Sequence, residues 1–493
     1  MVFNSLTFVV FFIVMLALHN LPLSWRVKKT NLLLASYLFY AAWNPPFILL
    51  LWLSTVVDYF VGKALYKQEN PVKKKLLLVV SLIGNLGMLC FFKYGSFLLD
   101  NFVLLTNAIG IDFHPAKPNI ILPAGISFYT FTTLCYTIDM YKRRSEPVKH
   151  LLDFSLFVTF FPHLVAGPIV RPEQLVPQFE TPRKANQTQL LQGLFLLSLG
   201  LFMKVVLADG MLASPADTVF GAQAPLAMLD AWMGVLAFSG QIFFDFAGYS
   251  TCAIAVSMSL GFVLPENFKY PYAAVGFSDF WKRWHITLSS WLRDYLYIPL
   301  GGNRKGKFRT YINLMITMLL GGLWHGANWT FVVWGGLHGL FLAVEKVLQD
   351  MNEKLTKPAL VERRALALQG VSIAQVMKVA GSSKILLALF TFFLVNVTWV
   401  FFRSPDFTTA WRLLTSMFTT VKGGAVLLPT LTIIKIIVIT SLMLVSHWLM
   451  RNSKLIAVAR QTKWWVLGIV WAAMVILLIL SQESTNSFIY FQF

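Results

Sequence analysis

Ile385–Phe402 reads ILLALFTFFLVNVTWVFF, eighteen residues without one charged side chain. A helix needs about 20 predominantly apolar residues to cross the hydrocarbon core of a bilayer. This run comes close to that length, and others resemble it. Leu76–Phe92, Ile120–Met140, Leu190–Leu207, Ile433–Met450 and Trp464–Leu480 are likewise predominantly apolar. Only helices and closed barrels satisfy their own backbone polar groups in lipid, and runs this long and apolar are helical. The chain is therefore expected to be an all-α polytopic membrane protein. No long stretch outside the runs alternates polar and apolar residues, so 1–493 reads as a single integral-membrane domain.

Composition agrees. Hydrophobic residues make up 57% of the chain and charged residues 13%, where a soluble domain carries roughly a quarter charged. Mean hydropathy is +0.65. Lysine and arginine number 41 against 22 acidic residues, a net charge of +19. In a soluble protein that balance would suggest nucleic acid. Here the basic residues stand in short loops beside apolar runs, which the positive-inside rule explains. The bilayer is the expected partner, and nucleic acid is not. Cys90, Cys135 and Cys252 all lie in apolar segments, with no disulfide or zinc spacing.

The basic clusters order the topology. Arg26–Lys29, Lys63–Lys75, Lys142–Lys149, Arg171–Lys184, Arg304–Arg309, Lys346–Lys384 and Arg451–Lys463 are expected to face the cytoplasm. No basic residue precedes the apolar run Leu6–Leu18, and Arg26, Lys28 and Lys29 follow it. An uncleaved first helix is expected, with both termini periplasmic. Asn44-Pro45-Pro46 interrupts one apolar stretch, and Pro162, Gly167 and Pro168 break Leu151–Val170. Non-helical backbone is tolerated at membrane depth only against protein or a water-filled cavity. Such breaks predict an enclosed cavity, with about eleven crossings plus two to four re-entrant or partial helices.

Chemistry-bearing residues gather in 277–348. His325 stands in Gly321-Gly-Leu-Trp-His-Gly-Ala-Asn328, inside an apolar run. A histidine at membrane depth is a functional-site candidate by default, and neutral imidazole suits general-base work. Gly321, Gly322 and Gly326 would let backbone or substrate approach closely. A buried histidine bonded to a neighbouring helix fits the same pattern. His285 follows Trp281-Lys282-Arg283-Trp284. Aromatic faces beside cations suit the adenine and phosphates of a nucleotide-like donor; an interfacial aromatic belt reads the same way. Gly301-Gly-Asn-Arg-Lys-Gly306-Lys307 imitates a phosphate-binding loop, but Phe308 follows where Ser or Thr is required. That excludes an ATPase and leaves a basic turn able to meet phosphates. Asp58, Asp139 and Asp245 are acids in apolar segments, with ion pairing expected of the first two. His163 sits at a helix break.

Trp281–Arg304 (WKRWHITLSSWLRDYLYIPLGGNR) and Gly321–Asn328 resemble the hallmark segments of bacterial membrane-bound O-acyltransferases. The likeness runs from Leu33–Trp43 through Leu122–Phe128, Phe161–Pro168, Phe244–Ser250 and Glu266–Lys269 to the final residues. It is strongest to the membrane component of alginate O-acetylation. The resemblance implies a funnel of helices around a central tunnel, an acyl-CoA donor, and passage of the acyl group through the membrane. It maps the family's invariant histidine to His325 and its second polar residue to His285. Trp281, Lys282, Arg283, Arg304 and Asn328 become candidates for holding acetyl-CoA, and no metal is implied. Relatives often read Ser-Gly-Tyr-Ser-Asp where this chain has Ala247-Gly-Tyr-Ser-Thr251, which leaves no acid at that position.

The tail Ser487–Phe493 is similar to the C-terminal motif of a small membrane protein of teichoic acid D-alanylation. Tyr490 is therefore a candidate acyl carrier; a packed aromatic tail is the alternative. The resemblance implies an inner-membrane O-acetyltransferase serving an exported, alginate-like polysaccharide. A periplasmic, esterase-like SGNH acetyltransferase is the expected partner. Peptidoglycan or cellulose acetylation is the same chemistry with another acceptor. A transporter or flippase without acyl chemistry is the rival of a different class, and it would keep working without His325.

Overall fold

The computed structural model describes residues 1–116, 118–367, 373–420 and 423–481, with side chains outside 352–382. The described residues are overwhelmingly helical, with one isolated bridge between Leu226 and Ala425. Among them, seven helices are long and apolar enough to cross a membrane: Phe47–Lys67, Pro71–Ala108, Gln187–Gly221, Met228–Ser259, Trp329–Met351, Ser383–Arg403 and Thr430–Met450. Leu6–Asn20 and Trp464–Leu480 are shorter apolar helices. Ile126–Tyr141 and Lys307–His325 are helical too, but shorter or more polar than the seven.

Helix ends follow local chemistry. Asn70 Oδ1 accepts from the backbone N–H groups of Val72 and Lys73, and Pro71 occupies the first helical turn, where its missing N–H costs nothing. The Pro45-Pro46 break separates Trp25–Ala41 from Phe47–Lys67, as the sequence predicts. Leu151–Thr159 likewise gives way at Phe160 to the single turn Phe161–Leu164.

The chain divides into two compact units. The first comprises Met1–Gly210, Ile242–Glu266 and the chain from Thr462 onward. Its helices cross closely where side chains vanish: a Cβ on Gly200 would lie 2.7 Å from the Gly248 carbonyl oxygen. Four of its buried acids meet partners of three kinds. Lys204 pairs with Asp209 at 2.9 Å and with Asp245 at 2.7 Å. Lys204 and Asp209 are five residues apart within the π-helical stretch Phe202–Ala213, so one π turn stacks them. Asp139 meets Arg144 at 3.5 Å, an ion pair as expected. Asp58 departs from that expectation. Its carboxylate accepts from the Ser81 hydroxyl at 2.6 Å and the Asn85 amide at 2.7 Å. Neutral donors on a neighbouring helix supply the bonds that a cation was expected to supply.

The second unit comprises Met211–Gln241 and Asn267–Gln461 and contains all of 277–348. Its central feature is the crossing of Lys307–His325 with the helix that begins at Trp329. A Cβ on Gly322 would lie 2.2 Å from the Phe331 carbonyl oxygen, and one on Gly335 would lie 2.2 Å from that of Met318. The two backbones touch there, which fixes where His325 sits.

Candidate active site

The site is built on a short backbone pairing. Lys269 N–H donates to the Arg283 carbonyl, and Ile286 N–H donates to the Asn267 carbonyl, both at 2.9 Å. His285 lies between these bonds with φ +43°, a left-handed conformation that side chains rarely adopt, and its residue is fully buried. Such strain persists only where surrounding contacts hold it, and it clusters at functional sites.

Asn267 explains the hold. Its Oδ1 accepts from Thr287 Oγ1 at 2.8 Å and Thr287 N–H at 3.3 Å, and lies 3.1 Å from His285 Nδ1. The Thr287 N–H can only donate, so this Asn267 atom is the acceptor, and His285 Nδ1 must carry the hydrogen that meets it. The ring's lone pair then belongs to Nε2, the nitrogen that can act as a base.

His325 is the last residue of its helix and is buried. Its ring packs against Trp324 and Trp334, with centroids 5.0 Å away in each case, and against Phe402 at 5.3 Å. The Trp324 indole also faces His285 at 6.0 Å. One aromatic side chain therefore lies against both imidazoles. Beyond Trp334 the cluster continues to His338 at 4.7 Å, which bonds Thr398 Oγ1 through Nε2 at 3.0 Å, and to Trp281 at 5.8 Å. Two candidate bases thus stand in a wall of indole and phenyl rings, where water is excluded and polar interactions gain strength.

The nearby glycines serve packing. The space beside Gly322 is taken by the Phe331 backbone, and the space beside Gly326 by the Phe331 ring, 2.1 Å from a Cβ placed there.

The sequence-predicted residues separate into groups. His285, His325 and Trp281 join one cluster. Arg283 does not enter it: the guanidinium pairs with Asp279 at 2.9 Å and donates to the carbonyls of Lys269 and Arg451. Arg451 meets the other Asp279 oxygen at 2.5 Å. Burial works against the Asp279 charge, but the Val275 N–H and the two guanidiniums outweigh it and hold the carboxyl below its ordinary range. Lys282 and Arg304 are exposed. Asn328 accepts from Thr330 N–H at 2.9 Å at the start of its helix and donates to the Pro405 carbonyl at 2.7 Å. Tyr490 lies outside the described residues.

Asn267, Trp324, Trp334 and His338 join the candidate site, although no role is expected of them from sequence. His338 follows Trp334 by one helical turn, a spacing visible in sequence. Asn267 lies in the Glu266–Lys269 segment of the family likeness, but nothing there pairs it with a histidine eighteen positions later; only the fold does.

Comparison with known proteins supplies a family. Residues 5–391 match the model of the membrane-bound O-acyltransferase family. A probable alginate O-acetylase of Pseudomonas putida is 41% identical over 423 residues, 85% of this chain and 80% of that protein. A peptidoglycan O-acetyltransferase of Helicobacter pylori is 39% identical, covering 79% of this chain and 73% of its own length. A teichoic acid D-alanyltransferase of Streptococcus thermophilus is 31% identical over 247 residues, 47% of this chain and 59% of that protein.

Proposed function

The chain belongs to the membrane-bound O-acyltransferase family, and from that membership we propose that it moves acetyl from cytoplasmic acetyl-CoA across the inner membrane for O-acetylation of an exported polysaccharide. The observation that carries the reading is the single indole, Trp324, lying against both His285 and His325 within a buried aromatic cluster. An alginate-like acceptor is favoured by the similarity to alginate O-acetylases; peptidoglycan is the second reading, favoured by the Helicobacter relative. A periplasmic SGNH-type acetyltransferase is the proposed partner that hands acetyl to the glycan.

The donor supplies a thioester whose acyl carbon is open to attack. An acceptor hydroxyl attacks that carbon, the C–S bond breaks as the C–O bond forms, and the hydroxyl proton ends on the departing thiolate. His325 takes that proton from the hydroxyl and returns it to sulfur. His285, held by Asn267 with its lone pair on Nε2, orients a polar group of donor or acceptor. Trp281 offers an aromatic face to the donor, and the exposed cations Lys282 and Arg304 meet its phosphates. Arg283 is committed to Asp279, and Asn328 to the helix start, so neither is retained as a donor ligand. The catalytic core of the proposal is 277–348. Tyr490 is proposed as the covalent carrier on the strength of the sequence likeness alone.

The test uses the purified full chain in lipid with labelled acetyl-CoA. CoA release and acetyl labelling are followed for wild type, His325→Ala and Tyr490→Phe. Loss of both signals in the folded histidine variant supports the reading, whereas unchanged CoA release removes His325 from the chemistry. Label that persists in Tyr490→Phe excludes that residue as carrier.

A further inference from the structure

Two basic stretches far apart in sequence meet at one pocket of the first unit. The turn after Phe47–Lys67, the start of Pro71–Leu89 and the end of Ile126–Tyr141 line an open pocket of about 590 Å³. Its walls include Gln68, Glu69, Lys74, Tyr141, Lys142 and Arg143. Lys74 and Arg143 stand in this lining with one acid, Glu69, and among the described residues no carboxylate lies within ion-pair distance of Lys74 or Arg143. The Lys74 ammonium is held 5.3 Å above the Tyr141 ring.

Two features run against local preference. Lys73, Lys74 and Lys75 occupy the beginning of a helix that has no acid in its first turn. The positive end of the helix dipole makes that the wrong end for cations. Arg143 adopts φ +52° where the Ile126–Tyr141 helix closes, its N–H donating to the Met140 carbonyl and the Arg144 N–H to that of Asp139. Glycine is the ordinary residue at such a position. Of these residues Lys74 and Arg143 line the pocket, each placed there in spite of the local cost. Next to the lining residues Pro71 and Lys74 the helix surface is apolar: Val72 is 75% exposed and Leu76 62%. That is the profile of a headgroup site, with phosphate between the cations and acyl chains along the helices.

We propose that this pocket binds a phosphate-bearing anion, presented by an anionic phospholipid of the surrounding leaflet. The site is independent of the acyl-transfer reading, because none of its residues belongs to the His285–His325 cluster.

The experiment reconstitutes the full chain in phosphatidylcholine nanodiscs with and without phosphatidylglycerol and measures retained anionic lipid by native mass spectrometry. Wild type is compared with Lys74→Gln/Arg143→Gln and with Arg143→Gly. Each charge removed is expected to lower apparent affinity for phosphatidylglycerol on the order of fivefold. Arg143→Gly relieves the left-handed strain, so it is expected to melt no lower than wild type while binding less lipid. That opposition of sign separates binding from folding. In a parallel arm, inorganic phosphate and ADP are added to protein in phosphatidylcholine alone. A rise in wild-type melting temperature that the variants lack would assign the same phosphate site to a soluble ligand. Equal lipid retention by all three proteins, with no response to phosphate or ADP, overturns the proposal.

Discussion

His285 reaches Asn267 through Nδ1 at 3.1 Å, and the same Asn267 oxygen also receives both donors of Thr287. One amide oxygen thus fixes the tautomer of a buried imidazole and the start of the helix that follows it. Asn267→Leu would leave three buried donors without an acceptor and His285 without a fixed tautomer. The expected result is a fall in kcat of about 10–100-fold with little change in KM, as for loss of an outer partner of a functional histidine. Asn267→Asp keeps the acceptor and is expected to recover much of the rate. Steady-state transfer kinetics in lipid distinguish the two; equal activity in all three proteins would remove Asn267 from the site.

Removal of the His325 imidazole is expected to lower kcat by about 10²–10⁴-fold, the range for a positioned general base. His325→Gln preserves much of the bulk between Trp324 and Trp334 without the basic nitrogen, so it should be as inactive as His325→Ala while melting closer to wild type. A glutamine variant with near-normal turnover would show that His325 is there for packing.

The helix crossing at Gly322 and Gly335 leaves no room for a methyl group. Gly322→Ala or Gly335→Ala is expected to destabilise the protein by about 1–3 kcal/mol, the usual cost of overpacking. At Gly336 a new Cβ meets only the Leu319 side chain at 3.4 Å, so Gly336→Ala is the tolerated control. Melting temperatures in detergent provide the comparison, and a Gly322→Ala protein as stable as Gly336→Ala would contradict the close contact.

Asp279 gives the second unit an acid limit. Its carboxyl sits below the ordinary value of 3.8 in the folded chain. The stabilisation linked to it is therefore complete above that value and is lost as pH falls through the lower, folded one. Asp279→Asn leaves Arg283 and Arg451 without their carboxylate and is expected to cost about 2 kcal/mol near neutral pH. Across the acid window the variant should lose less stability than wild type. Thermal melts from neutral pH down to about pH 3 report the difference; parallel curves for the two proteins would exclude Asp279 as a contributor.

The sequence by itself determined the class of solvent. Runs such as Ile385–Phe402 hold no charge, and backbone in lipid must bond within its own segment, so helices follow from composition alone. The breaks at Pro45-Pro46 and after Thr159 were equally legible, because proline lacks an N–H wherever it stands. His325 and His285 were visible as polar exceptions in apolar surroundings. Their surroundings were not. Whether Arg283 meets a ligand or Asp279, and whether Asp58 meets a cation or a serine and an asparagine, depends on which helix faces which. Residue type and spacing describe one helix at a time. Partners that are distant in sequence, such as Asn267 and His285, or Gly322 and Gly335, are selected by packing, and only the tertiary structure decides which buried donor finds which acceptor.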